Sequence, residues 1–175
     1  MNALLVGATL AIIVHNTAAV PDAALGAAQV EVVRILAAAG VTVAWTDAAD
    51  REVRFTSQII IRRQPGGGPG KGSPDAIGTT IGDDHRRGGV SFVFFERVLR
   101  VAHSYHQPAE LVLAYAIAHE IGHVLLPAPA HTDRGLMKAA WDADDFRRMT
   151  VGGELLTAQQ CALIRAAIEA YSARD

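Results

Sequence analysis

The sequence predicts an α/β (α+β) fold, a twisted mixed sheet followed by a helical C-terminal tail. Three observations predict it. Short β-branched apolar runs alternate with stretches of helical period along the first two thirds of the chain. Half of the 175 residues are hydrophobic and 19% are charged, enough to bury a core. The order of elements is strand, helix, strand, strand, edge strand, strand, helix, irregular segment, terminal helix, which is the order of a layered sheet domain.

The elements follow in turn. The apolar run Ala3 to Val14 is too short for a membrane span, which needs about 20 residues. It is read as a buried first strand, Leu10 to His15, with residues 1–9 a signal remnant or an extension. No Lys or Arg precedes it, so it shows no convincing cleavable signal and localisation stays open. Pro21 and Asp22 open a helix to about Ala39, with Leu25, Ala28, Val32, Ile35 and Leu36 at helical spacing and Gly40 as its stop. Val41 to Trp45 and Gln58 to Arg62 are strands, separated by a turn at Asp47 to Asp50. The Gly- and Pro-rich segment Gln64 to Pro74 is a loop. Ile77 to Gly82, weak and flanked by glycine, suits a sheet edge. A charged turn, Asp83 to Gly89, leads to the strong strand Val90 to Phe95.

Val98 to Tyr105 is a short helix, and Pro108 starts the most apolar one, which runs to Leu126 before Pro127 and Pro129 end it. Thr157-Ala-Gln-Gln160 is a capping-box pattern opening a last helix to about Ser172. One domain spans residues 1–175, with sheet and long helix in 10–126 and the tail in 127–175.

Charge and cysteine content exclude several function classes. Sixteen Lys+Arg against eighteen Asp+Glu give a net charge of -2, without the basic footprint of nucleic-acid binding. The lone Cys161 rules out an internal disulfide and a Cys-rich zinc site. Gly70-Lys71-Gly72-Ser73 lacks the strand–loop–helix setting of a phosphate-binding loop. His103 and His106, in the short helix, are read as surface residues.

The chemistry lies in His119-Glu120-Ile121-Gly122-His123, an HExxH motif inside the apolar helix. Positions i and i+4 share a helix face, so both imidazoles can reach one metal ion. Glu120 lies beside the first ligand, where it can take a proton from a water that zinc has brought to a pKa of about 7. Two His and one Glu on a buried helix need such a partner, since unpaired buried polar groups are destabilising. A catalytic zinc takes a third protein ligand and keeps one position open. His131 is the leading candidate, with Asp133 and Glu154 as rivals. Gly152-Gly153 would break any helix presenting Glu154.

HExxH, a chain reversal, then His131-Thr-Asp-Arg-Gly-Leu-Met137 resembles the zinc-binding core of the metzincin metallopeptidases. The resemblance implies Zn2+ as cofactor, His119, His123 and His131 as ligands, Glu120 as general base, and Met137 as the methionine of a tight turn beneath the metal. It implies a zincin-like sheet with an antiparallel edge strand. A peptide or protein substrate would pair with that strand, here Ile77, Gly78, Thr79, Thr80, Ile81 and Gly82, across the metal. The usual metzincin Gly and third ligand would fall at Leu126 and Pro129, and His131 comes two residues later, so the similarity is to a small divergent bacterial group. The tyrosine some members carry two residues after the methionine is replaced by Ala139.

Two functions follow as expectations: a zinc endopeptidase that hydrolyses peptide bonds with metal-activated water, or a non-catalytic zinc-stabilised binding or regulatory module. Neither needs a membrane span or nucleic acid, and a monomer is the default.

Overall fold

Apolar residues occupy every side of the segment Ala109 to Leu125, and a helix that is hydrophobic all round must be enclosed. In the structure, a computed structural model that describes residues 9–46, 55–64, 76–82, 89–151 and 155–172, this segment is the central helix of the fold. In chain order the elements are β1 (Thr9–Asn16), α1 (Asp22–Ala37), β2 (Thr42–Thr46), β3 (Phe55–Arg62), β4 (Gly78–Gly82) and β5 (Gly89–Phe94). Five-stranded pairing is then followed by α2 (Phe95–Ser104), α3 (Ala109–Leu125), α4 (Ala143–Thr150) and α5 (Ala158–Ser172). Among the described residues no helix is long and apolar enough to cross a membrane.

The sheet order is β2-β1-β3-β5-β4. β1, β2, β3 and β5 run parallel, and β4 runs antiparallel to β5 at one edge. The parallel strands need crossover connections. The helix α1 supplies the one between β1 and β2. Both α1 and α3 pack together, and α3 also contacts β3, β4, β5, α2 and α5. Val112, Leu113, Ile117 and Ile121 of α3 are buried in one core with Ile12, Ile59, Ile61 and Val93 of the sheet. Each such side chain contributes about 1.5–3 kcal/mol of transfer free energy, which fixes the position of the HExxH turn relative to the strands.

The register of β4 decides what it presents. Phe94 N–H donates to Ile77 C=O at 2.8 Å, and Gly78 pairs with Val93. In an antiparallel ladder hydrogen-bonded and non-bonded pairs alternate, so Thr79–Phe92 and Ile81–Val90 are bonded pairs. Gly78, Thr80 and Gly82 are the non-bonded partners, and their N–H and C=O groups point away from β5 to the open edge.

The sequence located most of these elements within two residues, and β3 and α2 each begin three residues earlier than expected. It missed α4, which the structure places in the segment expected to be irregular. Asp142 starts that helix: its side chain accepts from Asp144 and Asp145 N–H, while Asp145 accepts from Asp142 N–H, a reciprocal cap. The terminal helix carries its expected box, with Gln160 N–H donating to Thr157 Oγ1 and Thr157 N–H to Gln160 Oε1. The turns expected at 47–50 and 83–88, most of the loop from Gln64, and residues 1–8 lie outside the described residues.

Candidate metal centre

His119 and His123 are one helical turn apart near the C-terminal end of α3, so their rings share a face. Their Nε2 atoms lie 3.0 Å apart. After α3 the chain reverses through Leu126 to Ala130, with a cis bond at Ala128–Pro129, and brings His131 back to the same face. The His131 ring centroid is 4.7 Å from that of His123 and 5.3 Å from that of His119. One nitrogen from each ring lies within 4.8 Å of the other two. A tetrahedral ion with 2.0–2.1 Å bonds holds its nitrogens about 3.3 Å apart, and His131, the exposed member of the three, is the one not held by burial. Among the described residues these three His form the cluster able to hold an ion. Asp133 is exposed and outside it, and Glu154 lies outside the described residues.

The donors are ready for a cation. His119 Nδ1 lies 2.8 Å from the Leu136 carbonyl oxygen. A carbonyl only accepts, so Nδ1 carries the proton and Nε2 keeps its lone pair for the shared centre. Burial pushes His119 down to about 4, with His131 adding to the fall and the Leu136 bond opposing it. Burial, then His119 and His131, push His123 down to about 4. Both rings are neutral at physiological pH, the form that ligates metal. Three imidazoles suit zinc with an open fourth position.

The turn beneath the rings is built from Thr132 to Lys138. Thr132 N–H donates to Met137 C=O at 2.9 Å, and Lys138 N–H to Gly135 C=O at 3.2 Å. Gly135 takes φ +77°, a conformation that other residues rarely adopt. Leu136 N–H donates to Leu155 C=O at 2.7 Å, tying the turn to the segment before α5. Met137 is fully buried directly under Gly122. A Cβ on Gly122 would overlap Met137 Sδ and stand 2.9 Å from its Cε, so the glycine in the motif lets the methionine lie against the helix.

Glu120 points the other way, toward the sheet edge. It is 5% exposed, and Thr80 Oγ1 lies 2.5 Å from its Oε2. A Cβ on Gly78 would stand 2.5 Å from Glu120 Oε1 and 2.7 Å from the Phe92 carbonyl oxygen. Burial pushes the Glu120 carboxyl up to about 7, and the Thr80 bond opposes the rise.

The structure thus brings together His119, Glu120, His123, His131 and Met137, and places Gly78 and Thr80 of the edge strand against the carboxyl. Three contributors were not read from the sequence. Trp141 donates its indole N–H to the same Leu136 carbonyl at 3.1 Å, and its ring stands edge-on to His119, 5.7 Å between centroids. Ser91, a polar residue inside the apolar run of β5, is fully buried next to Thr80. Gly122 carried a signal, since a glycine inside a buried helix marks a close approach.

No family model, curated protein or solved structure matches this chain.

Proposed function

We propose that this protein is a zinc-dependent endopeptidase of metzincin-like type. The observation that carries the reading is the convergence of three imidazoles on a helix turn that also carries one buried carboxyl. The element order, the antiparallel outermost strand and the methionine beneath the motif helix support the metzincin-like assignment.

His119, His123 and His131 would hold the ion. A zinc ion bound there supplies Lewis acidity toward a substrate carbonyl and lowers the pKa of water. Glu120 accepts the proton of the attacking water and returns it to the leaving amine, the work of a general base and then a general acid. A carboxyl whose burial brings it near neutrality is matched to both duties. The Leu136 carbonyl holds the His119 ring in its ligating tautomer.

An extended peptide would lie along β4. The outward N–H and C=O groups of Gly78, Thr80 and Gly82 offer it main-chain hydrogen bonds. Gly78 and Thr80 also lie against Glu120, so a bound main chain would run beside the carboxyl.

The test pairs metal content with cleavage. Wild type and Glu120→Gln should each retain one zinc per chain, and only wild type should cleave a denatured protein, with a loss of about 10²–10⁴-fold in the variant. Zinc in both proteins with cleavage by neither would replace the peptidase reading with a zinc-stabilised binding module.

A further inference from the structure

Glu120 is the residue on which the proposed hydrolysis turns, and its carboxyl is secured from the sheet rather than from its own helix. Thr80 and Ser91 face each other as a non-bonded pair across β4 and β5. In such pairs the side chains approach closely, and the two hydroxyl oxygens are 2.9 Å apart. Ser91 is fully buried. Thr80 Oγ1 also lies 3.1 Å from the Glu120 main-chain oxygen and 2.5 Å from Oε2.

The protons sort themselves. In the form that acts as a general base the Glu120 carboxylate is ionised and only accepts, so in that form the single Thr80 hydroxyl proton goes to Oε2. With that proton committed, Thr80 can only accept from Ser91, whose hydroxyl therefore donates to it. Gly78 closes the other side of the carboxyl, since its bare Cα leaves room for Oε1.

We propose that Thr80, backed by Ser91, is a positioning residue that sets the orientation of the Glu120 carboxyl. This inference rests on the reading of Glu120 as general base. It extends the role of β4: the open backbone edge holds substrate while the Thr80 side chain on the same strand holds the base. The two duties use different atoms, so they separate by mutation.

The experiment compares Thr80→Val, Thr80→Ser and Ser91→Ala with wild type. Valine keeps the volume and β-branching of threonine and removes the hydroxyl. We expect Thr80→Val to keep its zinc and its KM within about twofold, and to lose about 10- to 100-fold in kcat. Thr80→Ser should recover most of that loss, and Ser91→Ala should fall between them. Crystal structures of zinc-loaded wild type and Thr80→Val give a readout independent of activity, and the Glu120 carboxyl should turn away from β4 in the variant. An unmoved carboxyl, equal losses in Thr80→Ser and Thr80→Val, or a change confined to KM would overturn the proposal. A wild type without cleavage would remove the peptidase reading alone, because the crystallographic comparison still decides whether Thr80 sets the carboxyl.

Discussion

The two sides of the HExxH turn are secured by different parts of the chain. The histidine side rests on the turn Thr132 to Lys138, a loop held by Gly135, Trp141 and the capped helix α4. The glutamate side rests on two strands of the sheet, through Thr80, Ser91 and Gly78. The first support is the segment that follows the motif directly, from Thr132 to Thr150. The second comes from residues 29 to 42 positions upstream. Ion retention and carboxyl orientation therefore depend on separate neighbours, and substitutions should divide between them.

The largest separation is expected from the two glycines. Gly122→Ala pushes a methyl into buried Met137. Overpacking of this kind destabilises by about 1–3 kcal/mol, so thermal unfolding should shift down and zinc affinity should fall with it. Gly78→Ala drives its methyl against the Glu120 carboxyl and the Phe92 backbone. It should spare zinc affinity and reduce cleavage. Equal effects of both variants on zinc affinity, measured by competition with a chelator, would break the comparison.

Trp141→Phe comes next. It preserves a ring against His119 and removes one of the two donors to the Leu136 carbonyl. Zinc affinity should fall by about tenfold, as for other partners of a ligating histidine, with little change in the melting temperature of the metal-free protein. An unchanged affinity would show that the His119 bond alone holds that carbonyl.

The smallest effect is electrostatic. Asp145 is buried beneath the turn, which alone would raise its carboxyl. Lys138, the Asp142 N–H and Arg148 outweigh burial and hold it below the usual range. A depressed folded value means that its stabilisation is present above the ordinary pKa of about 3.9 and is lost as pH falls through the lower folded value. Melting temperature measured from pH 6 to pH 3 should therefore fall more steeply in wild type than in Asp145→Asn. Parallel curves would remove Asp145 from the bracing of the turn.

The order of strands and helices was legible because period-2 and period-3.6 patterns are local, and Gly40, Pro108 and Pro127 punctuate them. The helix α4 was missed because only half of its eight residues are apolar or small, and its start depends on a cap between two aspartates. His119, Glu120 and His123 were legible because their spacing is a property of one helix. The nearness of His131 was an expectation drawn from its place just after the helix end and from the resemblance, since nothing in Pro127 to Ala130 states where the loop returns.

What the sequence determined by itself is therefore the local inventory: which residues can ligate, which can accept a proton, and which helix carries them. Only the tertiary structure decided that Leu136 and Trp141 sit behind His119, that Met137 fills the space above which Gly122 has no side chain, and that Thr80 reaches Glu120 from 40 residues away. The reason is physical. Ligand spacing within a helix follows from its 3.6-residue turn, whereas contacts between a strand edge and a helix follow from how the whole core packs.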